Sequence, residues 1–213
     1  MKDEVYIIGG GYSLRDKNLK WLANKDTICI NKTLFFVPYP NYFISMDYTF
    51  FDKIKRQMKF YRKSKAKKFF VVNFANRYIQ EKEGQVYDSR WNKLKYNLNK
   101  FENVIKSYKR EGIGLTWEDF RNGGNSGYCG LQLAILLGYK KIYLLGMDFV
   151  TGRKTHWHGG YGESKSNFQK KLDWYLEFWK KGLPELKEKR PDIEIYSCSK
   201  TSRLNKIIPY KKL

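Results

Sequence analysis

The chain has 213 residues, 42% hydrophobic and 17% aromatic, with 42 lysines and arginines against 21 acids and a net charge of +21. That length buries a real core and suits a single domain, 1–213, with or without an insertion, and the aromatic content excludes a disordered chain. No apolar run is long enough to span a bilayer and no charged-then-apolar leader opens the sequence, so a soluble, cytoplasmic protein is expected.

The charge is local. Residues 51–110 carry 18 basic and 5 acidic side chains, a net +13, while 1–50 and 111–160 are each at +1 and 161–213 at +6. A basic segment between nearly neutral, glycine-rich ones attracts a polyanion such as nucleic acid, anionic lipid or lipooligosaccharide.

In chain order, "EVYII" (4–8) is apolar without alternation, the pattern of a strand buried on both faces. "GGGYS" (9–13) follows as a turn, and "DKNLKWLANK" sets Leu19 and Leu22 on one side of a short helix. "TICINKTLFF" (27–36) and "NYFISM" (41–46) read as strands around the Pro38–Pro40 punctuation. Residues 50–68 repeat Phe51, Ile54, Met58 and Tyr61 at helical spacing, and "FFVVNF" (69–74) is a further strand. Residues 75–123 read as a basic insertion or acceptor-binding lid. Next come a buried helix over roughly 127–137 stopped at Gly138, the strand "KIYLLG", an amphipathic helix over 168–182 and a last strand at 193–199. Strands alternating with helices predict an α/β fold with a parallel sheet.

Ligands of such sheets sit beyond the carboxyl ends of the strands. That rule gathers Gly9, Gly10, Gly11 and Ser13 after the first strand, Asn31 near the end of the second and Asp47 after the third. Asp148 follows "YLLG", Ser199 and Ser202 follow the last strand, and Asn125, Ser126 and Gly127 open the buried helix, where unpaired N–H groups favour an anion. "GGGYS" lacks both the full G-x-G-x-x-G spacing and the Lys-Ser/Thr pair of a P-loop. The two histidines of the chain, His156 and His158, flank a tryptophan in a glycine-bounded loop, and an imidazole there suits removal of a proton from an acceptor hydroxyl. H-x-H has no evident third and fourth ligand nearby, and with the cysteines Cys29, Cys129 and Cys198 scattered as unpaired thiols, no metal is expected.

"VYIIGGGYSL", "INKTLFF", "NSGYCGLQLAILLGYKKIYLLGMDF", "THWHGG" and "IYSCSKTSRLNKIIPY" stand in an order that resembles the bacterial sialyltransferase-like family, glycosyltransferase family 42 with its phage-borne relatives. A wider group, the pterin diphosphokinase-like proteins, shares the first turn. The resemblance covers about half of the chain and omits the basic segment. It implies a Rossmann-like, mostly parallel sheet flanked by helices, a variant of the GT-A type. It further implies a nucleotide-sugar co-substrate, with no permanently bound cofactor and no metal. Carried over by position, Gly9, Gly11, Ser13, Asn31, Asn125, Ser126 and Gly127 line the nucleotide, and Ser199 and Ser202 close the same site.

Two departures stand out. The family's H-Y-x-G-H loop is H-W-H-G-G here, so the base position falls on Gly160 and the base stays open between His156 and His158, with Asp148 beside them. Val150 stands where the family has a tyrosine, leaving Tyr12 or Tyr161 as phenols for the departing phosphate. The basic segment leads to an anionic acceptor, with hydroxymethylated phage DNA as the first reading and Arg77, Arg90, Trp91, Lys93 and Lys95 as its contacts. A lipooligosaccharide acceptor at an anionic membrane and a magnesium-dependent diphosphotransferase using Asp47 or Asp148 are the alternatives.

Overall fold

A computed structural model describes residues 3–47, 50–90, 93–158 and 162–213, with the backbone alone at 52–53 and 93–96. The chain forms β1 (Glu4–Ile8), β2 (Thr27–Ile30), β3 (Tyr42–Ser45), α1 (Phe50–Lys53), α2 (Met58–Lys63), β4 (Lys67–Asn73), β5 (Ile79–Lys82), β6 (Gln85–Asp88) and β7 (Lys93–Asn97). Then follow β8 (Val104–Ser107), α3 (Ser126–Leu136), β9 (Lys141–Leu145), α4 (Lys165–Lys189) and β10 (Glu194–Ser197). Seven strands make one parallel sheet in the order β10-β9-β1-β2-β3-β4-β8, and β5-β6-β7 make a small antiparallel sheet. The α/β, Rossmann-like architecture expected from the sequence is therefore present.

The sheet is apolar on both sides because both sides are covered. Along β1, Val5 and Ile7 face the layer of α3 and α4, with Leu131 and Trp179, whereas Tyr6 and Ile8 face a second cluster with Phe43, Phe50 and Ile54. Helix α3 is buried from Ser126 through Ile135, as its apolar composition on every side requires. The chain builds outward from β1 to β4 and β8, then crosses back through α3 to place β9 on the other side of β1. That reversal opens a crevice beyond the carboxyl ends of β1 and β9.

Several boundaries differ from the sequence expectation. The second strand stops at Ile30 because Asn31 takes a left-handed φ of 53° and starts a 3-10 turn through Phe35. The expected helix over 50–68 is α1, a 3-10 turn at Lys55–Gln57 and α2, and Lys67 and Lys68 belong to β4. The segment near Lys20–Asn24 is 3-10 rather than α-helical. Residues 75–123 divide in two: β5–β7 stand apart as the small sheet, while β8 pairs with β4 at the edge of the large one and Ile113 and Phe120 enter the main core. The small sheet packs Val86 and Leu98 onto Phe70 and Val72 of β4. Cys29, Cys129 and Cys198 are free thiols, the first two buried.

Candidate functional site

Two loops laid on one another form the floor of the crevice. The turn after β1 donates from Gly9 N–H to the Leu145 carbonyl and from Gly11 N–H to the Gly146 carbonyl, each at 2.8 Å. A Cβ at Gly11 would lie 2.6 Å from both the Gly146 carbonyl oxygen and Asp148 Cγ, and one at Gly9 would lie 2.7 Å from the Gly146 oxygen. Close approach of two backbones is thus what demands glycine at these positions. The Asp148 carboxylate accepts the Ser13 backbone N–H at 2.8 Å and the Ser13 hydroxyl at 2.6 Å, which clamps the two loops together. From behind, the Ser202 hydroxyl donates to the Met147 carbonyl at 2.6 Å. Trp157 straps the same turn from above, donating its backbone N–H to Gly10 and its indole N–H to Gly9, both at 3.2 Å.

Above this floor lies a cavity of about 540 Å³, within the range of small-ligand pockets. Its walls are the start of α3, the ends of β2, β3 and β4, the histidine loop and the first half of α4. Asn125 caps α3 by accepting the Tyr128 N–H at 2.9 Å and donates to the Gly123 carbonyl at 2.8 Å. The Ser126 hydroxyl accepts the Met46 N–H at 3.0 Å, tying the helix start to β3. The first N–H groups of a helix lack acceptors within it and carry the positive end of its dipole, so this wall suits a phosphate. Asn31, also in the wall, holds a buried Oδ1 that accepts no hydrogen bond among the described residues.

The imidazoles of His156 and His158 sit 5.1 Å apart, centroid to centroid, over Gly10. A Cβ at Gly10 would lie 2.6 Å from His156 Cδ2 and 3.2 Å from His158 Nε2. His156 packs on Phe168 at 4.5 Å, and His158 lies nearly parallel to Phe36 at 6.1 Å. Burial, helped by nearby Lys32, pushes the His158 pKa down to about 4, so its ring is neutral at pH 7 and a weaker base than an ordinary imidazole. On α4, Lys171 is paired with Glu163, which raises its pKa, and burial raises that of Tyr175.

Eleven residues singled out in the sequence line this one cavity: Gly9, Gly10, Gly11, Asn31, Asp47, Asn125, Ser126, Gly127, Asp148, His156 and His158. Ser13, Ser199 and Ser202 do not. Ser13 is spent on Asp148, Ser202 on Met147, and Ser199 is buried against Thr201. The expected wall from the last strand is therefore a brace behind the floor. Tyr12 also stays outside the cavity, its hydroxyl accepting from Arg15.

Of the expected acceptor contacts, Arg90 is bound bidentately to the buried Asp88, and Arg77 donates to the Tyr78 hydroxyl at 2.6 Å. Both guanidinium groups lie over the Tyr78 ring, just outside the strands of the small sheet, and neither arginine lines the cavity. Trp91, Gly160 and Tyr161 lie outside the described residues, and Lys93 and Lys95 are described by their backbone in β7 alone. The sequence reading missed Met46, Asn73, Asn76, Met147 and Lys171. On the apolar stripe of α4, Phe168, Leu172 and Tyr175 line the cavity, while Leu176 and Trp179 are buried in the core and Tyr175 packs against it as well.

No known protein family matches the chain by sequence pattern, and no curated protein matches it. Among solved structures it is similar to a MAf glycosyltransferase from Magnetospirillum magneticum AMB-1, with a TM-score of 0.58 and 15% identity over 100% of this chain and 34% of that one. The chain thus spans about a third of the length of that neighbour. It is also similar to the sialyltransferase CstII from Campylobacter jejuni in complex with the substrate analogue CMP-3FNeuAc, with a TM-score of 0.55 and 20% identity over 99% of this chain and 86% of that one. A CstII complex with cytidine-5'-monophosphate gives a TM-score of 0.55 at 18% identity. The chain shares its fold with these solved glycosyltransferases.

Proposed function

We propose that the protein is a glycosyltransferase that takes a nucleotide sugar of the cytidine monophosphate type into the crevice and passes its sugar to an acceptor hydroxyl. The observation that carries this reading is the convergence of segments from the turn after β1 to α4, two imidazoles among them, on one cavity, in a fold whose neighbour was solved with CMP-3FNeuAc. The donor phosphate sits at the start of α3, against Ser126 and Gly127, where the helix dipole favours negative charge. Asn31 Oδ1 accepts from a donor group of the base or ribose, which meets its buried lone pairs.

A neutral histidine, His158 or its neighbour His156, takes the acceptor proton as the new C–O bond forms. The bond from the sugar to the phosphate breaks at the same time, and the nucleotide leaves with its electron pair. Asp148 acts as a positioning residue, since Ser13 engages both of its oxygens. Lys171 stands in the wall as a cation for the leaving phosphate. A saccharide is the acceptor favoured here: the DNA reading rests on the charge and aromatics of the basic segment, and the described arginines chosen for it lie away from the cavity.

Labelled CMP-, UDP- and GDP-sugars, offered with an oligosaccharide panel and with hydroxymethylated DNA, test the proposal. Transfer from a CMP-sugar to a saccharide is expected. It should fall by about a hundredfold or more when the base histidine becomes alanine. Transfer to DNA, or consumption of ATP that stops in a chelator, overturns it.

A further inference from the structure

The structure divides the basic segment into two kinds of charge. Lys68, Arg90, Lys106 and Lys109 are paired with Glu102, Asp88, Glu81 and Asp119. Six cations around α2, namely Lys55, Arg56, Lys59, Arg62, Lys63 and Lys65, are exposed and make no ion pair among the described residues. Helix periodicity orders them further. Met58 and Tyr61 pack inward on the cluster of Phe43 and Phe50, so the opposite face presents Lys59, Lys63 and, beside them, Phe60, which is 68% exposed. Tyr39, 83% exposed, lies just beyond the 3-10 turn Asn31–Phe35 that α2 packs against.

We infer that this outward face of α2 is a docking surface for an anionic lipid bilayer. Cations around one unsupported aromatic ring fit a plane that is negative at its surface and apolar just beneath. A convex helix face meets such a plane without a groove. Nucleic acid is the poorer fit, because aromatics that would stack on bases are engaged elsewhere. Tyr78 lies between two guanidinium groups and Phe101 is stacked on Phe70 at 4.2 Å. Among the described residues no helix is long and apolar enough to cross a membrane.

Sedimentation of the full chain with phosphatidylcholine vesicles, with and without phosphatidylglycerol, tests the inference, with duplex DNA as a parallel ligand. Binding should require phosphatidylglycerol and weaken with salt. The double variant Lys59→Gln/Lys63→Gln should bind roughly twenty-fivefold more weakly, each cation contributing about fivefold, and Phe60→Ser about tenfold more weakly. Lys59→Arg/Lys63→Arg should restore binding, which separates charge from folding. Absence of phosphatidylglycerol-dependent binding, binding unchanged in the glutamine variant, or tighter binding to duplex DNA overturns the inference. The proposed transfer reaction does not enter this readout, so the two fail independently.

Discussion

At the scale of single residues, the first turn does two jobs that its sequence shows as one. Gly9 and Gly11 let the loops after β1 and β9 touch, whereas Gly10 makes room for imidazoles. Gly10→Ala should therefore leave the fold in place, cost about 1 kcal/mol, and lower kcat/KM about a hundredfold by displacing His156. Thermal melting and steady-state kinetics on the same sample check this. His158 makes a second, signed prediction. Its pKa lies near 4 in the folded chain against 6.5 for an ordinary imidazole, so the unfolded chain binds the extra proton between those values. Stability contributed by this residue is complete above pH 6.5 and is lost as pH falls toward 4. Urea midpoints from pH 7 to 5 should decline more steeply for the wild type than for His158→Gln. If His158 is the base, the acid limb of kcat/KM lies near pH 4; a limb at 6.5 excludes it.

At the scale of elements, α3 and α4 meet where Tyr128 passes under Gly182. The Tyr128 hydroxyl donates to the Gly112 carbonyl at 2.8 Å, its ring meets Trp179 edge-on at 5.3 Å, and a Cβ on Gly182 would lie 1.8 Å from its oxygen. Alanine stabilises an ordinary helix interior by about 1 kcal/mol over glycine, but here the overlap dominates and Gly182→Ala should destabilise by roughly 2 kcal/mol. Adding Tyr128→Phe should recover part of that loss, a coupling that a double-mutant cycle in urea measures. This crossing was invisible in the sequence because a helical glycine looks the same whatever lies against it. The doubly buried strands were legible, since a continuous apolar run such as "EVYII" has few other readings. The break between α1 and α2 was hidden, because Phe51, Ile54, Met58 and Tyr61 keep their spacing and their inward face across the 3-10 turn. Likewise the stripe of α4 gave no sign of where it leaves the core for the cavity wall, which depends on where the crevice opens. The glycine turn, Asn31, the α3 cap and the histidine loop were found because their chemistry is local. Lys171 was lost among many lysines.

For the whole molecule, the crevice gathers residues from Gly9 to Tyr175, so filling it should stabilise the fold as a unit. A nucleotide at a hundred times its Kd adds about 2.7 kcal/mol to a chain that binds it only when folded. For a protein of this size that corresponds to a rise in Tm of about 5–10 °C. CMP should produce the rise and a chelator should leave it intact, while a rise seen with ATP and magnesium but not with CMP points to diphosphoryl transfer. Asn125→Ala removes the α3 cap at a cost of about 1 kcal/mol and should also shrink the CMP-induced shift, because the cap organises the wall proposed for the phosphate. Salt then separates the two electrostatic features of the molecule. The cations of α2 are exposed and spread over a surface, so their attraction for anionic vesicles should fall steeply between low and physiological salt. The α3 N-terminus acts inside a cavity, at contact distance and poorly screened. The CMP-induced shift in Tm should therefore change little over the same salt range, and a shift that vanishes with the vesicle binding would place the nucleotide on the basic face instead.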